Sequence, residues 1–316
     1  MFKERLKKAW SEAVKNGIIQ HDFQVKNEKW RFGLKQIGKN YSYFAYNLTK
    51  DKKITAQIIE KSIPGTNFKI QLNEFRALRP VHEPKELGPQ PDIQASAHDC
   101  RFHCTDNKNS LSIKRRAILS TLKLKNYSWN FYSNAFPYDS NGHFLIIPTK
   151  NSRLAHYKQA FDKKLLLDTL ELIKKTDGLI IIFQSLHAGA SVNHFHLQAF
   201  FHDKKCALDY GVVKDNVLDN YPVPAFVYRS GKEDKQVQKA IEILQEEKVP
   251  FDLISLKKNI YIFPRNPDHE VVSEFPQGVI GAMELAGKFV TTDKKTYQNF
   301  NIHKLYRSLN KTCFEI

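Results

Sequence analysis

A chain of 316 residues, 41% hydrophobic and 12% aromatic, can bury a large core, which excludes a disordered chain and suggests one large domain or two related ones. Four cysteines in this length exclude a disulfide framework, and no run approaches the ~18 consecutive apolar residues of a membrane-spanning helix. The net charge of +16 attracts anions in general, but its lysines are spread over the whole length, so phosphate binding falls to a few Arg and Lys.

Met1-Phe2-Lys3-Glu4-Arg5 opens a charged segment and not an apolar run, so no secretory leader is expected, and the expected compartment is the cytoplasm. Residues 2–16 place Phe2, Leu6, Ala9, Trp10 and Val14 on one side at helical spacing, and Gly17 stops the helix. Alternating aromatics over 28–60 (Trp30, Phe32, Tyr41, Tyr43, Phe44, Tyr46) suit strands. Residues 63–91 are rich in proline and read as an extended, wrapping segment. Ser112–Lys123 reads as a helix. Tyr127–Phe131 and Gly142–Ile147 read as strands joined by a turn around Pro137–Gly142. Lys163–Lys175 reads as a helix, followed by strands over Leu179–Phe183 and Ser191–Phe200. Asp203–Pro224 reads as loop, Ala225–Arg229 as a strand, Asp234–Glu247 as a helix and Phe251–Phe263 as a hairpin.

His143-Phe-Leu-Ile-Ile-Pro148-Thr-Lys150 is echoed by Asn259-Ile-Tyr-Ile-Phe-Pro264-Arg265. Each is an apolar strand ending in proline with a basic residue close behind. The echo predicts two related α+β halves, each with an antiparallel sheet flanked by helices, of which only the first carries a histidine pair. The expected division is an N-terminal segment over 1–60, a catalytic half over 61–205 and a degenerate second half over 206–316.

The densest chemistry lies in Ser191–Phe200. As a strand, period 2 puts His194, His196 and Gln198 on one face and Phe195, Leu197 and Ala199 on the other. The small residues Ala188-Gly189-Ala190-Ser191 before it permit close approach of backbone to a ligand. Three readings stay open on spacing alone: surface histidines on an edge strand, two histidines sharing a metal ion, and nucleophilic attack on phosphorus. A neutral imidazole attacks a phosphoanhydride well, and the phosphoramidate formed is itself reactive. Gln198 on the same face can donate to the anionic transition state, and a phosphate leaving group needs little protonation.

Gly189-Ala-Ser-Val-Asn-His194-Phe-His196-Leu-Gln198 resembles the signature of the histidine-triad transferases, which include hexose-1-phosphate uridylyltransferase, diadenosine tetraphosphate phosphorylase and the GDP-hexose phosphorylases. Three further stretches agree in order: Gln71–Pro80, Asn134–Pro148, and Val249–Arg265 with Glu284–Val290. The resemblance implies a histidine-triad-like α+β fold and a nucleotidyl-histidine phosphorylase. Such an enzyme would split a nucleoside diphosphate sugar, GDP-hexose preferred, with inorganic phosphate. It makes His196 the nucleophile, gives His194 the task of orienting it, and puts Gln198 on the phosphoryl oxygens. It turns Arg76 and Arg79 toward phosphates, whose geometry suits the planar guanidinium fork. It places Asn134, Gly189 and Ser191 against the substrate, and it implies neither metal nor cofactor in the chemistry. Subunit pairing is common in the family, which allows a homodimer. Two departures stand out. Gln184 stands where relatives commonly carry Asn, and the loop Asp203–Tyr221 matches no one relative. Phe195, Leu197 and Asn193 lean toward the GDP-hexose phosphorylases over the uridylyltransferases, which prefer Pro between the histidines.

His98-Asp-Cys100-Arg-Phe-His103-Cys104 gathers four soft ligands in seven positions. The spacing is not a familiar zinc pattern, so these read as buried or loop residues. His187 reads as a loop residue near the pocket. Two rival functions remain. One is a dinucleoside polyphosphate (diadenosine tetraphosphate) phosphorylase using the same nucleophile. The other is a non-catalytic nucleotide- or RNA-binding protein, against which stands the dispersal of the basic residues.

Overall fold

The computed structural model describes the chain except residues 1, 26, 79–99, 101, 105–111, 151–152, 155, 277 and 315. Helix α1 (Phe2–Lys15) leads into four antiparallel strands paired in order, β1 (Gln20–Val25), β2 (Glu28–Ile37), β3 (Asn40–Asn47) and β4 (Lys52–Ile54). Then come β5 (Ile58–Ser62), β6 (Lys69–Asn73), β7 (Ile118–Lys123), β8 (Ser128–Ser133), β9 (His143–Lys150), β10 (Arg153–Leu154), α2 (Lys163–Lys175), β11 (Leu179–Gln184) and β12 (Leu197–Phe201). The rest runs β13 (Val212–Lys214), β14 (Val217–Asp219), β15 (Phe226–Arg229), α3 (Asp234–Glu246), β16 (Phe251–Leu256), β17 (Asn259–Pro264), α4 (Ala282–Leu285), β18 (Lys288–Thr291), α5 (Lys294–Asn299) and α6 (Ile302–Thr312).

Most strands join one eleven-stranded antiparallel sheet, ordered β13-β14-β15-β17-β16-β11-β12-β9-β8-β7, with β10 on β9. On one face, α1, α2 and α3 pack through Leu6, Trp10, Leu165, Leu170, Val237 and Ile241 against Phe195, Leu197 and Leu253. The other face carries the C-terminal segment, through Phe275, Leu285 and Leu305. A smaller cluster of Cys100, Phe102, Cys104 and Ile113 covers Tyr132 and Leu145 on β8 and β9.

The fold is mixed α+β, as expected, but the two halves share one sheet instead of holding one each. β9, α2, β11 and β12 repeat in β15, α3, β16 and β17, with neighbour orders β9-β12-β11 and β15-β17-β16. The copies meet where Ile182 of β11 pairs with Ile254 of β16. Both strands are mostly apolar and buried, so each needs its edge covered, and pairing them removes both open edges.

This topology also shifts the sequence echo. The counterpart of β9 is β15, and Asn259–Pro264 is the counterpart of the histidine strand. Gln198 pairs with Ile182 and Tyr261 with Ile254, so the repeat puts Tyr261 where Gln198 stands, and Asn259 where His196 stands. The second copy thus has no imidazole at either position.

Two other expectations change. Ser112–Lys123 is a short turn, Ile113–Arg115, followed by edge strand β7 and not a helix. Its ladder with β8 and the packing of Leu119 and Leu122 on the core outweigh a weak helical spacing. The segment Asp203–Pro224 contains a single turn at Ala207–Tyr210 and the hairpin β13–β14.

Candidate active site

Period 2 holds across the histidine segment: Phe195, Leu197 and Ala199 are core, and His194, His196 and Gln198 face the opposite way. The segment is interior, between β11 and β9, so the edge-strand reading of these histidines fails. His194 is fully buried and His196 is 7% exposed. Regular pairing begins only at Leu197. Upstream of it the backbone is held by Gln159, a buried side chain that sequence reasoning missed. Gln159 Oε1 accepts from the His196 amide at 2.9 Å, and its Nε2 donates to the carbonyls of His196 (3.1 Å) and Gln184 (2.8 Å). The amide of Gln159 in turn donates to Asn193 Oδ1, and Phe195 N donates to Tyr157 O. The strand is therefore completed by side chains where a ladder would otherwise stop.

His196 Nδ1 lies 2.8 Å from the carbonyl of His194. A carbonyl only accepts, so Nδ1 carries the proton and Nε2 keeps its lone pair. Burial holds the pKa of His196 down to about 4, against the pull of the His194 carbonyl, so the ring is neutral near pH 7. The ring is packed edge-on against Phe102. The ring is thus neutral, with a fixed tautomer and an unprotonated Nε2 that carries a lone pair.

Gln198 sits in a row of polar side chains that crosses three strands. Its Oε1 is 2.8 Å from His143 Nε2, and its Nε2 donates to Gln184 Oε1 at 2.9 Å. His143 is fully buried, and its ring lies against those of Tyr138 and Phe200. The Arg76 guanidinium lies 3.7 Å from the Tyr138 ring centroid, and its Nη1 donates to the Phe136 carbonyl. Arg76 therefore stands beside the row, with one edge engaged by backbone. Asn134 Oδ1 accepts from Phe136 N, while its Nδ2 lies 3.2 Å from His143 Nε2, so it caps the turn and touches the row. Gly189, at φ +101°, donates its N–H to Glu270 Oε1 at 2.8 Å. Ser191 is half-buried in the loop that leads to His194. His187 is a loop residue in the left-handed region. Arg79 and His98 lie outside the described residues.

A second set of donors adjoins His196. The ligand atoms of Cys100, Cys104, His156 and His194 all lie within 4.8 Å of one another. The two Sγ atoms are 3.2 Å apart, and His194 Nδ1 is 2.9 Å from Cys104 Sγ and 3.3 Å from Cys100 Sγ. Hydrogen bonding from Cys104 holds the Cys100 thiol well below its ordinary pKa, so the pair carries a thiolate. Two thiols and two imidazoles at this separation fit a tetrahedral zinc ion, whose ligand atoms are spaced about 3.3–3.8 Å at Zn–N about 2.0 Å and Zn–S about 2.3 Å. Among the described residues of the local segment, its cysteines are the ones in this group. His103 is in the left-handed region, and its carbonyl accepts from Ser112. The histidine partners come from 52 and 90 positions beyond Cys104, at His156 and His194, which local spacing could not connect.

The C-terminal segment presses on the same site. A Cβ on Gly189 would fall 3.2 Å from Gly281 Cα, and Glu284, wholly buried by its neighbours, accepts from the Gly281 amide. Neither Glu270 nor Glu284 was legible as part of the site.

Residues 197–315 match the family described as GDPGP1-like, C-terminal domain. The chain is 26% identical over 193 residues to GDP-L-galactose phosphorylase 2 of Arabidopsis thaliana, covering 53% of this chain and 44% of that protein. The chain thus spans under half the length of that curated relative. Two solved structures of yeast Ap4A phosphorylase Apa2, in complex with AMP and with Ap4A, superpose with a TM-score of 0.58 over 99% of this chain and 97% of theirs, at 15% and 14% identity. Among the described residues, no helix is long and apolar enough to cross a membrane. Residues 197–315 are thus similar to the GDPGP1-like C-terminal domain, the chain has a distant sequence likeness to GDP-L-galactose phosphorylase 2, and its fold is like that of Apa2.

Proposed function

We propose that this protein is a nucleotidyl-histidine phosphorylase of nucleoside diphosphate sugars, with GDP-hexoses preferred. His196 Nε2 attacks the α-phosphorus, the bond from that phosphorus to the bridging oxygen breaks, and hexose 1-phosphate leaves with the electron pair. An oxygen of inorganic phosphate then attacks the same phosphorus, the N–P bond breaks, and the nucleoside diphosphate leaves. Gln198 donates to the phosphoryl oxygens in both steps. Arg76, Arg79, Asn134, Gly189 and Ser191 bind the substrate. The observation that carries this reading is the His196 ring itself: neutral, and pinned at Nδ1 by a backbone carbonyl so that Nε2 is the attacking atom. The two copies of the β-α-β-β unit form a catalytic and a degenerate half of a cytoplasmic protein.

A zinc ion on Cys100, Cys104, His156 and His194 would hold His194, and with it the carbonyl that orients His196. It would supply rigidity, and His196 would make the bond to phosphorus.

The second reading, an Ap4A phosphorylase with the same nucleophile, is favoured by the likeness to Apa2 over almost the whole chain. Intact-protein mass after brief mixing with GDP-glucose, GDP-mannose, UDP-glucose or diadenosine tetraphosphate, without phosphate, separates the two. The expected result is a gain of one guanosine monophosphate, acid-labile, discharged by phosphate and lost in His196→Ala. An adduct from diadenosine tetraphosphate alone transfers the assignment to the second reading. No adduct in a folded sample returns the protein to the class of nucleotide binders.

A further inference from the structure

Gln198 can serve a phosphoryl group only if its amide, and not its carbonyl, faces that group. An amide side chain is free to flip unless its neighbours forbid it. Here the polarity of the whole row is set by two backbone groups at its ends. At one end, Tyr138 N–H donates to His143 Nδ1 at 3.1 Å. His143 must then carry its proton on Nε2 and donate it to Gln198 Oε1. Asn134 Nδ2 lies 3.2 Å from the same nitrogen, but its Oδ1 is held by Phe136 N, so it faces that N–H as a second donor and makes no hydrogen bond to it. With Oε1 engaged, Gln198 Nε2 has one N–H on Gln184 Oε1 and a second to offer. At the other end, Gln184 Nε2 donates to the Ala188 carbonyl at 3.1 Å, which fixes Gln184 with its own Oε1 toward Gln198. Flipping either glutamine would put acceptor against acceptor.

Gln184 is held in this pose by space as well as by hydrogen bonds. A Cβ on Gly189 would lie 2.2 Å from Gln184 Nε2, and a Cβ on Gly281 would lie 2.5 Å from the same atom. The side chain threads between two glycines, one from the loop before the histidines and one from the C-terminal segment. Gly281 is in extended backbone, φ −120°, which any residue adopts, so the requirement there is for room and not for conformation.

We propose that Gln184 is a positioning residue that fixes the orientation of Gln198, and that Gly281 is glycine to admit it. The inference rests on the reaction proposed above. Gln184→Met keeps the volume and removes both hydrogen bonds. It is expected to slow adduct formation by about 10-fold or more while nucleotide affinity stays within about twofold, since one preorganised donor is lost in the transition state. In a Gln198→Ala background the same change is expected to cost nothing further, which a general loss of fold would not reproduce. Gly281→Ala, on the C-terminal segment and outside the residues assigned to the substrate, is expected to copy Gln184→Met. Adduct formation at the wild-type rate in Gln184→Met overturns the proposal, and so does a loss that adds in full to that of Gln198→Ala. Side-chain amide hydrogen exchange of Gln198 tests the row without any reaction. Protection in the wild type that disappears in Gln184→Met supports it, and equal exchange in both sinks it. A wild-type protein that forms no adduct but shows that protection fails the functional reading alone.

Discussion

His194 does two jobs from one ring and one peptide: its Nδ1 faces two thiols, and its carbonyl holds the tautomer of His196. Loss of the metal ligands is therefore expected to reach the nucleophile. Protein purified without chelator should contain about one zinc per chain by elemental mass spectrometry, and Cys104→Ser should hold less than a tenth of that with a lowered Tm. Metal-free wild-type protein of undiminished stability would refute the zinc assignment. Glu284 offers an independent residue-scale test. Burial raises its carboxyl from the ordinary range to about 7, despite the Gly281 amide that it accepts from. The folded state then binds this proton more tightly than the unfolded chain. The stability it gives is complete below about pH 4.5 and is lost as pH rises through 7, a change of roughly 3 kcal/mol. Glu284→Gln keeps the acceptor and removes the titration. Its stability, from urea unfolding, should fall less between pH 5 and pH 8 than that of the wild type. Parallel curves would show that Glu284 titrates normally.

At the scale of elements, what was legible had a clean period. Lys163–Lys175 shows its apolar stripe, and it is a helix with those bounds, capped by Asp162. Leu179–Phe183 is an unbroken apolar run and lies in a buried central strand, Leu179–Gln184. The alternation at Phe195, Leu197 and Ala199 gave both the strand and the face that carries the histidines. Three features were hidden for a common reason, which is that their partners are remote. Gln159 replaces a strand by bonding backbone 25 and 37 residues downstream, at Gln184 and His196. The four metal-competent donors come from three separate segments. β7 is a strand because β8 pairs with it, although its own residues read as helix. The echo at Asn259–Pro264 was seen, but its register was not, because two apolar strands ending in proline look alike whichever strand of the repeat they are.

At the scale of the whole molecule, the shared sheet makes each half depend on the other. The centre of that dependence is a buried ion pair. Asp252 lies on β16, opposite Gln184 in the register, and bonds Arg265 just past β17. Arg265 is fully buried and also donates from Nε to the Thr312 carbonyl, at 2.8 Å, and from Nη2 to the Ile280 carbonyl. One guanidinium thus ties the sheet to the end of α6 and to the loop that delivers Gly281 and Glu284. Removing one member of such a pair leaves the other charge buried without compensation, at a cost of about 3–5 kcal/mol. Arg265→Leu also frees two carbonyls from their donor. The expected result is a Tm lowered by on the order of 10 °C. The two halves are expected to unfold together in one calorimetric transition, because β11 and β16 cannot part without exposing two apolar edges. Loss of the C-terminal ties should also loosen Gly281, so Arg265→Leu should lose adduct formation at temperatures where its far-ultraviolet circular dichroism is still native. Two separate thermal transitions, with only the later half affected by Arg265→Leu, would show instead that the first half stands alone and that its site needs nothing from the second.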